Sequence, residues 1–153
     1  MRSKPKAACR LIGGAVAVLM LLMALPAVAS AASYVGRVVG QPESSVRFDI
    51  RRDSTGERRV YDFQFHLVEV HCDNGPDGRV STAYFGRPPR VNDNNRFRGS
   101  YEDGFQTQLI TGQLKPLGKA EGTLQFSHED VKFGTCGTGL LDWKAHRRPA
   151  PTG

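Results

Sequence analysis

The sequence predicts an all-β domain: an antiparallel two-sheet sandwich, with a closed or partly open barrel as the alternative, held by one disulfide. Three observations predict it. After residue 33, short runs alternate apolar and polar residues with the two-residue period of a half-buried strand, and no stretch sustains the 3.6-residue period of a helix. Gly, Pro, Asn and Asp punctuate those runs at short intervals. Two cysteines far apart in the chain, Cys72 and Cys136, have the count and spacing of a single structural bridge. The chain has 153 residues, which is enough for one domain and short for two.

The first element is not part of the fold. Arg2, Lys4, Lys6 and Arg10 precede an apolar run from Leu11 to Leu25, and the small residues Ala27 to Ala32 follow Pro26. A basic start, a short apolar stretch and a small-residue exit describe a secretory signal peptide over residues 1–32, with cleavage expected near Ala29 to Ala32. The run is shorter than the ~18–20 residues of a membrane span, so no membrane association is expected once the leader is removed. The formal net charge of +6 belongs mostly to that leader, and the remainder carries only about +2. This weakens any reading as a nucleic-acid-binding protein, whose electrostatic footprint would be largely lost with the leader. Cys9 leaves with the leader, and an even pair of cysteines in an exported chain reads as a disulfide.

The domain is expected over 33–146, with strands near 34–39, 45–51, 58–71, 79–86, 96–102, 105–114, 119–127 and 139–146. Val46, Phe48 and Ile50 alternate with Arg47 and Asp49, and Asp53-Ser54-Thr55-Gly56 then reverses the chain. In the third strand Tyr61, Phe63, Phe65 and Leu67 share a face. The apolar phase then slips to Val68 and Val70, which predicts a β-bulge near Leu67-Val68. Asp103-Gly104 predicts a two-residue hairpin turn, and Lys115-Pro116-Leu117-Gly118 a type I turn. Leu141, Trp143 and Ala145 alternate in the last strand. Between Phe85 and Arg96, Pro88 and Pro89 exclude a central strand and predict a crossing loop. Residues 147–153 read as a basic, frayed tail.

Several of these stretches carry a resemblance. Gly118-Lys119-Ala120-Glu121-Gly122-Thr123 is followed by Cys136-Gly137-Thr138-Gly139 and by Trp143-Lys144-Ala145, after an opening Tyr34-Val35-Gly36 and a Cys72 that closes a long aromatic strand. The pattern resembles that of small secreted β-sandwich proteins of unknown function from actinobacteria. The resemblance implies a fold and export, and no activity or catalytic residue.

Candidate chemistry is sparse. Asp73-Asn74-Gly75-Pro76-Asp77-Gly78 is similar to the start of a calcium loop, but Gly75 stands where an oxygen ligand belongs and Tyr84 where a bidentate Glu belongs, so a turn is expected. His66, His71, His128 and His146 lack zinc-ligand spacing. No nucleophile elbow, zinc-protease helix or phosphate loop is present. Asp62, Glu69 and Asp142 are the carboxylates from which a glycosidase pair would be drawn. Arg51, Arg52, Arg58 and Arg59 flank one turn and form a candidate anion-facing patch, with Asp49, Asp53, Glu57 and Asp62 close by in sequence. The expectation is an exported, non-catalytic, monomeric extracellular or cell-envelope protein with an unidentified ligand and no cofactor or metal. The alternatives are a small secreted hydrolase and a protease inhibitor presenting the Arg87–Asn95 loop.

Overall fold

A computed structural model describes residues 31–149. The predicted leader lies outside the described residues up to Ser30, as does the tail from Ala150. Nine strands are described: β1 (Ala32–Val38), β2 (Ser45–Arg52), β3 (Arg58–Cys72), β4 (Gly78–Ala83), β5 (Arg96–Glu102), β6 (Gln106–Lys115), β7 (Lys119–Asp130), β8 (Gly134–Gly137) and β9 (Leu141–Arg147). All pairings are antiparallel, in the order β4-β3-β2-β1-β9-β7-β6-β5. β8 pairs β3 on one side and β7 on the other, so the hydrogen bonding returns on itself through β3-β2-β1-β9-β7-β8.

β8 was not expected from the sequence. Its four residues, Gly-Thr-Cys-Gly, have no apolar alternation to reveal them. Cys136 faces Cys72 directly across the β3–β8 pair, and the two form the expected disulfide with Cα atoms 4.0 Å apart.

The core is aromatic. Trp143 is fully buried and meets Phe48 and Phe63 edge-on, at ring separations of 5.5 and 5.8 Å, while Phe97 stacks at 6.3 Å. Tyr34 stacks on the other side of Phe48 at 4.9 Å. Two glycines make room for the indole. Gly122 faces Trp143 and Gly112 faces Gly122. A Cβ on Gly112 would fall 2.2 Å from the Phe97 ring and 2.9 Å from the indole, and one on Gly122 would fall 2.0 Å from the Thr111 carbonyl oxygen. Gln108, also buried, holds the exit of β4: its Oε1 accepts from the Phe85 N–H and its Nε2 donates to the Ala83 carbonyl, both at 2.9 Å.

β3 departs from the simple alternation twice. The bulge expected near Leu67-Val68 is present, but Leu67 is its positive-φ residue (53°) and points outward, 48 % exposed, rather than joining Phe63 and Phe65. A second bulge at Asp62, also at φ 53°, lies opposite the Arg47–Asp49 step of β2. It makes Val60 the buried residue and leaves Tyr61 half-buried, so Tyr61 does not share the core face expected for it. One apolar residue either side of a slip fits both phases, which is why the pattern concealed this bulge.

Two turns also differ. In the β5–β6 hairpin Gly104 alone takes a positive φ (86°), and Asp103 pairs with Gln106, so the turn centres on Gly104-Phe105. Asp103 Oδ1 instead accepts the Phe105 and Gln106 N–H groups. Pro116–Gly118 is not a type I turn, because Leu117 (φ 60°, ψ 30°) and Gly118 (φ 67°) are both left-handed.

The Phe85–Arg96 segment is more ordered than a crossing loop. Val60 N–H donates to the Pro89 carbonyl and Val91 N–H to the Arg58 carbonyl, so residues 89–91 run beside the first part of β3. Asn92 then builds a turn into β5, its Oδ1 accepting from Asn94 and Arg96.

Candidate functional site

The β2–β3 hairpin sets the candidate site. Arg51 faces Arg59 and Arg52 faces Arg58 across the ladder. Like charges directly opposite destabilise a sheet unless they are neutralised, and the two pairs meet different fates because alternate residues point to opposite faces.

Arg51 and Arg59 lie on the outer face and are neutralised. Arg51 Nη2 binds Asp49 at 2.6 Å and also Asp62. Arg59 binds Asp53 at 2.6 Å, Glu57 at 2.9 Å and the Pro88 carbonyl at 3.2 Å. Asp53 is the hub of the turn. Its Oδ1 accepts from the Thr55 hydroxyl and from the Thr55 and Glu57 N–H groups. The Thr55 hydroxyl and then the Arg59 guanidinium hold its carboxyl far below the usual carboxylate range. Burial pushes Asp49 up, but hydrogen bonds from Arg51 and Ser33 outweigh it and leave that carboxyl lowered.

Arg52 and Arg58 continue the inward phase of Ile50 and Val60. They stand at the rim of the core, where Arg147 joins them from β9 opposite Tyr34. With Ala32, Tyr34, Ile50, Arg51 and Leu114 they line a cleft of about 280 Å³. No carboxylate lines it among the described residues, and none there forms an ion pair with Arg52, Arg58 or Arg147. Arg52 donates to the Gly56 carbonyl at 2.6 Å and Arg58 to Asn95 Oδ1 at 2.9 Å, neutral acceptors that aim the two guanidinium groups without cancelling their charge.

The sequence patch therefore divides: Arg52 and Arg58 belong to the cleft by their charge, Arg51 touches it from an ion pair, and Arg59 lies away from it. Sequence reasoning misses Arg147, because residues 147–153 read as a frayed tail. β9 in fact runs through it, and the Arg148 N–H donates to the Ser33 carbonyl at 2.8 Å. The inward phase of Trp143 and Ala145, continued by two residues, was the available signal.

No known protein family, curated protein or solved structure matches this chain.

The other candidates are dispersed. Asp73 Oδ2 accepts from the Thr135 N–H, and Asp77 Oδ1 lies 2.8 Å from His71 Nδ1, so the calcium-like stretch is tied to β8 and to its own strand. His66 and His71 lie on β3, His128 on β7 and His146 on β9. Glu69 faces Arg79 and Asp142 faces Thr123, while Asp62 is engaged by Arg51. Glu69, Asp73, Asp77, Glu129 and Asp130 lie toward the disulfide end, with Arg79 and Lys132 among them, and Arg52, Arg58, Lys119 and Arg147 toward the opposite end, with Asp53 and Glu57 among them.

Proposed function

We propose that this chain is an exported, non-catalytic protein of the cell envelope or extracellular space, and that it holds an anionic group in the cleft of Arg52, Arg58 and Arg147. One observation carries the reading: a pair of directly opposed arginines at the rim of the core, with a third beside them and no carboxylate among the described lining residues. Such a cluster repels itself in the empty protein, and a phosphate or carboxylate relieves the repulsion while accepting fork-shaped hydrogen bonds. Tyr34, Ile50 and Leu114 beneath the guanidinium groups lower the local dielectric and strengthen that attraction. The leader-like residues 1–32 and the disulfide support export.

The test is thermal. Pyrophosphate at low ionic strength is expected to raise the melting temperature of the secreted protein in a concentration-dependent way, since a ligand stabilises the state that binds it. The double variant Arg58→Gln/Arg147→Gln is expected to lose most of that rise. No rise in the wild type, or an equal rise in the variant, overturns the reading of the cleft. Mass spectrometry of the same secreted material is expected to show an N-terminus between Ser30 and Tyr34, and an intact leader overturns the export.

A further inference from the structure

A second concavity lies on the outer face, independent of the arginine cleft. It is a groove of about 800 Å³ over β1 and β9, within the size range of small-molecule sites. Its chemistry is unusual for a solvent-facing sheet. Val35, in the outward phase of β1, and Val39, just past its end, flank Arg37, and Val39 is 50 % exposed. Pro42 extends the apolar strip beyond the end of the strand. The described lining residues include Arg37, Lys119, Lys144 and His146, and no carboxylate.

The groove is polarised. Val35 faces His146, which in turn faces Lys119 on β7, and Arg37 faces Lys144. The basic groups therefore occupy one end and the middle, and Val39 to Pro42 form a cation-free end. Glu121 faces Lys144 across the β7–β9 pair, but its carboxylate binds Lys115 Nζ at 2.9 Å and lies outside the lining. From Val35 to Val39 the strand runs about 13 Å, the length of an extended alkyl chain of about ten carbons.

We infer that this groove binds a single-chain anionic amphiphile, its head against Lys119, His146 and Lys144 and its alkyl tail along Val39 and Pro42. Charge complementarity selects the head, and burial of apolar surface at both partners drives the tail in.

Calorimetric titration with decyl phosphate, below its micelle-forming concentration, tests this, with inorganic phosphate and decyl maltoside as comparisons. Decyl phosphate is expected to bind at least about tenfold more tightly than either, a gap of about 1.4 kcal/mol. Amide shifts in nuclear magnetic resonance are expected at Val35, Val39 and Lys144. Lys119→Ala/Lys144→Ala is expected to weaken binding about tenfold. Val39→Asn, at an exposed position, is expected to weaken decyl phosphate while leaving inorganic phosphate unaffected. Equal binding of decyl maltoside, shifts confined to Arg52 and Arg58, or binding only to phosphatidylglycerol vesicles each overturns the inference. The last two results assign the anion to the arginine cleft or to a membrane surface, so failure here leaves the cleft reading separately testable.

Discussion

Asp53 and Leu117 show how single residues set this fold in opposite senses. The Asp53 carboxylate closes the β2–β3 turn with three hydrogen bonds, which its charge strengthens, and an ion pair, which requires it. Its folded pKa lies below the ordinary 3.8, so its contribution to stability is complete above that value and is lost as pH falls toward the folded one. The stability gap between wild type and Asp53→Asn is therefore expected to be widest near neutrality and to close as pH falls below about 4. Denaturant titrations at several pH values check this, and a gap that stays constant down to pH ~2 contradicts it. Leu117 is the reverse case. It is 92 % exposed and left-handed, a conformation in which its Cβ crowds the backbone and its side chain buries nothing. Leu117→Asn is expected to stabilise the protein by about 0.5–1 kcal/mol, read from denaturant midpoints, because Asn tolerates that conformation better.

At the scale of elements, the central packing rests on what two strands lack. β6 and β7 approach Trp143 through Gly112 and Gly122, and the indole fills the missing side-chain volume. Gly122→Ala places a methyl against the Thr111 carbonyl, backbone that cannot rotate away. The expected loss is about 1–3 kcal/mol, with reduced Trp fluorescence anisotropy and a lower melting temperature as the readouts. An unchanged melting temperature contradicts the packing. β3 makes a related point about legibility. The slip at Leu67 was readable because Val68 and Val70 follow it in the new phase. The slip at Asp62 was not, because Tyr61 looks like a core residue in the old phase and only the partner strand shows the extra residue. The Gly104 and Leu117 turns differ from their expected types for a similar reason. Dipeptide rules identify that a chain turns, while the pairing of the flanking strands decides which residues sit at the centre.

For the whole molecule, β8 is the closing piece. Four residues join β3 to β7, and the Cys72–Cys136 bond fixes that junction across a separation of 64 residues. Asp73 and Asn74 add backbone bonds to Thr135 and Phe133, but the segment buries little apolar surface of its own. Cys136→Ser is expected to cost about 2–4 kcal/mol, mainly by freeing the unfolded chain. Faster amide exchange is expected at β8 and the ends of β3 and β7, and slow exchange there in the variant contradicts the closing role. Two-residue periodicity, turn residues and cysteine count are local properties of the chain, and they suffice to read off the all-β class, most strand positions, the disulfide and the hairpin that carries the arginines. Which arginines are neutralised and which line the cleft, that Arg147 joins them, and that Val35 and Val39 share one groove with Lys119 and His146 emerge only once the chain is folded. Those outcomes depend on register and on which face of the sheet a residue takes, and a single bulge in a neighbouring strand is enough to exchange the two faces.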